Sequence, residues 1–214
     1  MPSHSNQAVG FNEFDLKARD WDSDPGKIER ARAVAEGIMA GVPLSPQMTA
    51  LEYGCGTGLL SFALRSRLEH ITMADSSPGM LAVLGEKIAL SGAVNMTLLQ
   101  LDLAKDPLPT NRFDVIYTMM TLHHVLDTGR ILHDFFELLK TPGYLCVADL
   151  DKEDGSFHGP DFKGHAGFDR KALGQAAEST GFTDVRFSTV FHLVRPVGER
   201  EANFPLFLMI ARKR

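Results

Sequence analysis

The feature that most constrains the fold is a glycine-rich turn within residues 49–61, Thr-Ala-Leu-Glu-Tyr-Gly-Cys-Gly-Thr-Gly-Leu-Leu-Ser. A short apolar segment ends at Glu52, and glycines then stand at alternate positions, Gly54, Gly56 and Gly58. The apolar residues that follow suit a helix, so the pattern predicts the strand, turn and helix that open a nucleotide-binding α/β sheet. Glycine permits positive φ and lets a ligand approach bare backbone, while the helix directs free N–H groups at that ligand.

The spacing of the glycines distinguishes two classes of cofactor. A dinucleotide fingerprint reads G-x-G-x-x-G and would need glycine where this chain has Leu59. The observed pattern, E-x-G-x-G-x-G, resembles motif I of the class I S-adenosylmethionine-dependent methyltransferases. The resemblance implies S-adenosyl-L-methionine as cofactor and S-adenosyl-L-homocysteine as product, with Glu52 and the glycines shaping the methionine and sulfonium side. The same spacing opposes a nicotinamide oxidoreductase.

Acidic residues stand at the ends of the next two predicted strands, Asp75 and Asp102. Ligands of open α/β sheets bind at the carboxyl ends of the strands, and a carboxylate can accept two hydrogen bonds at once. We therefore predict that Asp75 binds the ribose hydroxyls; the alternative role of helix N-cap falls more naturally to Ser77. The family resemblance implies that Asp102 accepts a bond from the adenine amino group and that the Leu103 N–H meets a ring nitrogen.

The residues predicted to bind the cofactor share this edge of the sheet. They are Glu52, Gly54, Cys55, Gly56, Gly58, Asp75, Ser76, Met80, Asp102, Leu103 and Met119. Cys55 is expected to be a small filler of the loop and not a nucleophile.

Histidines supply the candidates for catalysis. His123 and His124 follow a strand that opens Phe-Asp-Val-Ile, as the fourth strand of the family does, and they should lie beside the methyl group. If the acceptor must lose a proton, histidine is the usual base, so His124 or His123 is the predicted catalytic residue, a structural role being the alternative. His158 and His165 lie in a long loop at a spacing that matches no standard metal site, so we expect solvated histidines there and no metal.

The order of apolar segments predicts an α/β fold, a doubly wound, seven-stranded, mostly parallel sheet with a terminal antiparallel hairpin. The family resemblance implies the Rossmann-like strand order 3-2-1-4-5-7-6. Helices are predicted at residues 25–40, 59–68, 78–91, 125–140 and 170–180, strand 5 at 144–150, and the hairpin strands at 184–194 and 204–212. The loop at 151–168 is expected to recognise the substrate, because loops this long are usually functional or disordered.

Residues 25–214 are predicted to form a single methyltransferase domain preceded by an N-terminal segment, residues 1–24. Residues 1–10 are polar and expected to be disordered. Residues 11–24 combine Trp21 with two phenylalanines among many charges, and we predict a lid over the cofactor, with packing on the domain surface as the alternative.

Composition excludes several classes of function. The net charge is −5, and the basic residues cluster only at the C-terminus, which opposes nucleic-acid binding. Two cysteines indicate reduced thiols in a cytoplasmic protein, and no apolar run approaches the ~20 residues that span a membrane. The motifs taken together most resemble those of the ubiquinone/menaquinone-biosynthesis-like group of methyltransferases. This resemblance implies methyl transfer to a small molecule. The alternative is a protein of the same fold that binds the cofactor without catalysis or acts on protein.

Overall fold

The structure, a computed structural model, describes residues 13–214, so the segment 1–10 and the first two residues of the predicted lid lie outside the described residues. The helices are α1 (Glu13–Lys17), α2 (Pro25–Gly41), α3 (Leu59–Leu64), α4 (Pro78–Ser91), α5 (Thr128–Leu138) and α6 (Arg170–Thr180). The strands are β1 (Thr49–Tyr53), β2 (His70–Asp75), β3 (Met96–Gln100), β4 (Phe113–Met119), β5 (Leu139–Leu150), β6 (Thr183–Val197) and β7 (Arg200–Lys213). Short 3₁₀ segments cover Ala18–Ser23, Arg65–Arg67 and Leu122–His124.

The seven strands form one sheet in the order β3-β2-β1-β4-β5-β7-β6, which confirms the predicted fold class. Strands β1 to β5 are parallel to one another, whereas β7 runs antiparallel to both β5 and β6. Because the parallel strands share one direction, the ends of β1, β2, β3 and β4 meet at a single edge of the sheet.

Two apolar clusters cover the two faces of the sheet. One contains buried residues of α2, α3 and α4, such as Ile38, Leu60 and Leu84. The other contains buried residues of α5 and α6, such as Phe135 and Leu173. Among the described residues, no helix is both long enough and apolar enough to cross a membrane.

The predicted helix starts are confirmed by side-chain hydrogen bonds. Asp24 accepts from the Gly26 N–H ahead of α2, Ser77 accepts from the Met80 N–H ahead of α4, and Asp169 accepts from Ala172 ahead of α6. Each acceptor satisfies an N–H group that lacks a partner within the helix. The assignment of the α4 cap to Ser77 leaves the carboxylate of Asp75 to another role.

Several predicted boundaries were wrong. The helix predicted over 59–68 ends at Leu64 and continues as a 3₁₀ turn, and the helix predicted over 125–140 starts only at Thr128, where Asp127 caps it. Strand β5 begins at Leu139, directly after α5, with a cis peptide bond at Pro142. The two hairpin strands are longer than predicted at the ends next to their turn, because backbone pairing extends to Val197 and Arg200. The loop over 151–168 is confirmed, closed by a bridge between Asp151 and Phe168.

Candidate active site

The glycine-rich turn after β1 adopts the backbone that only glycine tolerates readily. The φ angles are +69° at Gly54, +52° at Gly56 and +76° at Gly58. A Cβ on Gly54 would lie 2.3 Å from the Thr121 side chain, and one on Gly58 would lie 2.6 Å from Leu84, so both glycines also allow tight packing. A Cβ on Gly56 would meet nothing closer than the Met80 sulfur at 3.9 Å, so the backbone of this glycine borders open space.

Glu52, predicted to shape the sulfonium side, points into the protein interior. Its side chain is 2% exposed, and its Oε2 accepts hydrogen bonds from the Ser61 N–H, at 3.2 Å, and from the Ser61 hydroxyl. The Ser61 hydroxyl also bonds Tyr117 Oη, at 2.8 Å. Since Ser61 lies in the first turn of α3, Glu52 fixes the position of this helix N-terminus under the turn. Burial raises the pKa of Glu52 to about 8.

We expect Glu52→Gln to change how stability depends on pH. The folded pKa of about 8 lies above the usual 4.5, so the folded chain keeps a proton that the unfolded chain has released across this window. Wild-type stability should therefore fall as pH rises from about 5 to 8, and the glutamine variant should gain on it by up to ~1.4 kcal/mol per pH unit. Urea denaturation of both proteins across this range measures the effect; parallel stability curves would contradict it.

The Asp75 carboxylate lies where the turn meets the end of β2. Its Oδ2 accepts from the Gly56 N–H at 2.7 Å and its Oδ1 from the Ser77 N–H at 2.8 Å. Burial raises the pKa of Asp75, and these backbone N–H groups oppose that shift. A carboxylate offers about four lone-pair positions, so these two bonds do not exhaust its capacity to accept. Asp75 thus ties the glycine-rich turn to β2 and still has capacity for a ligand.

Asp102 follows β3 at the same edge of the sheet. Its carboxylate accepts from the Ala104 N–H at 3.0 Å and forms an ion pair with Lys105 at 2.8 Å. The buried Leu103 donates its N–H to Tyr53 Oη at 3.3 Å, so the predicted bond to an adenine ring nitrogen would compete with this contact.

The remaining predicted binding residues differ in their exposure. Cys55 is buried with its Sγ 3.6 Å from the Gly56 carbonyl oxygen, and burial raises its pKa well above the usual value, as expected for a filler. Met80 is buried, Met119 is half-buried at the end of β4, and Ser76 is exposed beside Asp75.

The two predicted catalytic histidines occupy different environments. The His123 side chain is 1% exposed, and its Nδ1 lies 2.7 Å from Asp149 Oδ1; Asp149 Oδ2 also accepts from the His123 N–H. His124 is half-buried and stands edge-on to Phe14, with ring centroids 5.3 Å apart. Asp149 was missed by the sequence analysis, although it lies at the end of β5 as Asp75 does at the end of β2.

The structure separates the two loop histidines that the sequence analysis considered together. His165 bonds Thr128 Oγ1 and the Val125 carbonyl, which ties the loop to the start of α5. His158 lies instead beside the pair that follows β4, with ring centroids 5.0 Å from His123 and 5.5 Å from His124. The expectation of solvated histidines therefore fails for His165, which is half-buried, whereas His158 is exposed but part of a histidine cluster.

The N-terminal segment contacts this edge of the sheet. Asp15 Oδ1 accepts from the Ser77 hydroxyl at 2.6 Å and from the Gly79 N–H at 2.8 Å. Asp22 accepts from the Thr57 hydroxyl at 2.5 Å and pairs with Lys87 at 2.6 Å. Polar contacts thus connect residues 13–23 to the glycine-rich turn and to the N-terminus of α4.

Fold and site together define a nucleotide-binding α/β domain of the methyltransferase type. A family model described as a methyltransferase domain matches residues 50–143, from β1 into β5. With this match and the strand order, the chain is similar over this segment to the class I S-adenosylmethionine-dependent methyltransferases.

Named relatives agree with this family. Phosphoethanolamine N-methyltransferase 1 of Arabidopsis thaliana is 30% identical, over 66% of this chain and 30% of its own length. Ubiquinone biosynthesis O-methyltransferase of Marinobacter nauticus is 31% identical, over 50% of this chain and 46% of its own. The chain therefore spans less than half of either relative.

A solved structure supports the fold. Phosphoethanolamine N-methyltransferase 2 of Haemonchus contortus, solved in complex with S-adenosyl-L-methionine, superposes with a TM-score of 0.69 and is 15% identical in sequence. The match covers 97% of this chain and 60% of that one.

Proposed function

We propose that this protein transfers the methyl group of S-adenosyl-L-methionine to a small-molecule acceptor. The observation that carries the proposal is the convergence at one sheet edge of the bare-backbone turn at Gly56, the carboxylates of Asp75 and Asp102, and the histidines after β4. Relatives named for phosphoethanolamine and for ubiquinone biosynthesis support a small acceptor. Two free, buried cysteines support a cytoplasmic location.

The proposed division of labour follows the geometry. Asp75 holds the ribose, Asp102 holds the adenine amino group, and the Gly56 backbone faces the methionine portion. The cofactor supplies an electrophilic methyl group on a positively charged sulfur. Glu52 acts from behind the turn, because its bonds to Ser61 position the start of α3. The protein's main task is to hold the acceptor in line and exclude water.

The acceptor is proposed to meet the histidines after β4. His123 is buried against Asp149, so the half-buried His124 is the better placed of the predicted pair to take a proton from the acceptor. Phe14 packs edge-on against His124, which supports a lid role for residues 13–23 that shields the acceptor from water.

A thermal-shift comparison with S-adenosylhomocysteine, S-adenosylmethionine and NAD tests the cofactor class. We expect the two S-adenosyl ligands to raise the melting temperature and NAD to leave it unchanged. A ligand at 100 times its dissociation constant stabilises the folded state by ~2.7 kcal/mol, enough for a shift of a few degrees. No shift with either S-adenosyl ligand, on protein freed of copurified ligand, would contradict the proposal.

The alternative function is a protein of this fold that binds the cofactor without catalysis or that methylates protein. Release of S-adenosylhomocysteine that depends on an added small-molecule acceptor separates the alternatives. Cofactor binding without such release across a panel of hydroxyl, amine and acidic-carbon acceptors would favour the non-catalytic or protein-directed role.

A further inference from the structure

Three histidines from two distant parts of the chain meet at the catalytic edge of the sheet. His123 and His124 lie in the 3₁₀ segment after β4, and His158 comes from the loop after β5. One nitrogen of each imidazole lies within 4.8 Å of one nitrogen of the others. We propose that these three side chains bind a divalent transition-metal ion of the zinc type. The site goes beyond the proposed function, because cofactor binding and methyl transfer do not require it.

The orientation of His123 supports the proposal independently of the clustering. Asp149 Oδ1 lies 2.7 Å from His123 Nδ1, and Asp149 is 0% exposed. With the proton on Nδ1 donated to this carboxylate, the lone pair of the ring lies on Nε2. Metal-binding histidines almost always donate their second nitrogen to a carboxylate, carbonyl or water in this way, which fixes the tautomer and makes the other nitrogen a better ligand.

Backbone N–H groups of His123 and Leu150 hold the Asp149 carboxylate in this orientation. Asp149 Oδ2 accepts from the His123 N–H at 3.1 Å, and Oδ1 also accepts from the Leu150 N–H at 2.7 Å. The carboxylate therefore has little freedom to rotate. It contacts His123 twice, at the backbone N–H and at Nδ1 of the ring, and so fixes the orientation of the ring. Because this side chain is already ordered, less conformational entropy is lost when a metal binds to it.

The imidazole nitrogens of the three histidines must move slightly closer together when a metal ion binds. Tetrahedral zinc with Zn–N bonds of about 2.0–2.1 Å separates two nitrogen ligands by about 3.3 Å, less than the 4.8 Å limit within which the imidazole nitrogens lie. His158 is exposed and belongs to a loop, so rotation of its side chain can supply the approach. Its ring stacks on Phe162 with centroids 4.0 Å apart, which provides an apolar wall behind the ligand.

Three histidine ligands are one of the donor sets of catalytic zinc sites, in which the fourth position takes water or substrate. Here that position would serve an acceptor hydroxyl beside the cofactor edge, and the metal would favour its ionised form. In the metal-loaded protein His124 acts as a ligand, and the acceptor hydroxyl would lose its proton to solvent, which reaches the cluster beside the exposed His158, and not to His124.

Metal titration tests the proposal without knowledge of the acceptor. The full chain, free of any affinity tag and stripped with a chelator, is titrated with Co²⁺ while the visible absorption of tetrahedral cobalt is followed, and Zn²⁺ is then added in competition. We expect one equivalent of each ion per chain. His158→Ala should lose at least tenfold in affinity, and Asp149→Asn should lose about 10- to 100-fold.

The controls keep the experiment decisive. His192→Ala removes a histidine of β6 that bonds Asn203 away from the cluster, and we expect unchanged affinity. His158 is exposed, so its alanine variant should fold even if His123→Ala does not, and a melting curve checks this. Absence of stoichiometric binding by wild type, or equal affinity in wild type and His158→Ala, would overturn the metal site. Binding of S-adenosylhomocysteine in the same samples would then leave the proposed function standing.

Discussion

Asp75→Ala is expected to weaken binding of S-adenosylhomocysteine by about 10- to 100-fold, because hydrogen bonds to a charged group contribute ~1.5–3 kcal/mol. The carboxylate lies at the end of β2, and two of its lone-pair positions are used by the N–H groups of Gly56 and Ser77. The substitution removes the proposed acceptor for the ribose and also the bond that ties the turn at Gly56 to β2. Isothermal titration calorimetry with S-adenosylhomocysteine measures the change.

Two variants separate the loss of a ligand contact from a loss of structure. Asp75→Asn keeps one side-chain oxygen and the shape of the residue, so its affinity should fall between those of wild type and Asp75→Ala. Asp114→Ala removes a carboxylate that accepts from the Thr49 N–H and pairs with Lys140 at the opposite end of the strands. It should alter stability without altering affinity. Wild-type affinity in a folded Asp75→Ala protein would show that the ribose assignment is wrong.

The sequence predicted most successfully the features that depend on neighbours along the chain. The strand, turn and helix around Gly56 were predicted from the glycine spacing, and the helices that Asp24, Ser77 and Asp169 cap begin at the predicted residues. The convergence of strand ends also follows, because parallel strands joined by helices must end at one edge. These features are local or are consequences of topology.

The boundaries that failed depend on tertiary pairing. The helix predicted over 125–140 and the strand predicted over 144–150 left a turn between them, yet β5 already begins at Leu139, whose partner on β4 is Phe113. The predicted hairpin strands, 184–194 and 204–212, left residues 195–203 as a loop, but β6 and β7 pair up to Val197 and Arg200. Backbone pairing continues there beyond the buried core, so the apolar pattern that marks a strand is lost before the strand ends.

Long-range contacts within the candidate site could not be read from the sequence. Asp15 reaches Ser77 from 62 residues away, and His158 reaches His123 only because the loop after β5 folds back over the edge. The direction of the Glu52 side chain depends on Ser61 and on the strand register, neither of which the E-x-G-x-G-x-G pattern specifies. Asp149 could have been found, since the rule that singled out acids at the ends of β2 and β3 applies equally to β5.

Gly54→Ala is expected to lower the free energy of unfolding by ~2–5 kcal/mol, through backbone strain and a steric clash with Thr121. Gly54 has φ +69°, and its added Cβ would lie 2.3 Å from the Cγ2 and Oγ1 atoms of Thr121. A left-handed conformation costs a residue with a Cβ ~1–2 kcal/mol, and forcing an extra carbon into packed structure costs ~1–3 kcal/mol more. Urea denaturation measures the free energy of unfolding.

Gly92→Ala is the matched control, because Gly92 has φ +63° but a Cβ there would meet no atom within 4 Å. The free energy of unfolding of this variant should fall only by the ~1–2 kcal/mol that a left-handed conformation costs a residue with a Cβ. The excess at Gly54 should shrink when Thr121 is also replaced by glycine, since that removes the three atoms nearest to the new Cβ. A double-mutant cycle isolates this coupling. Equal losses at Gly54 and Gly92 would mean that the turn moves away from Thr121 without cost. The contact between the turn after β1 and the segment after β4 would then not determine where the Gly56 backbone and His124 stand relative to each other.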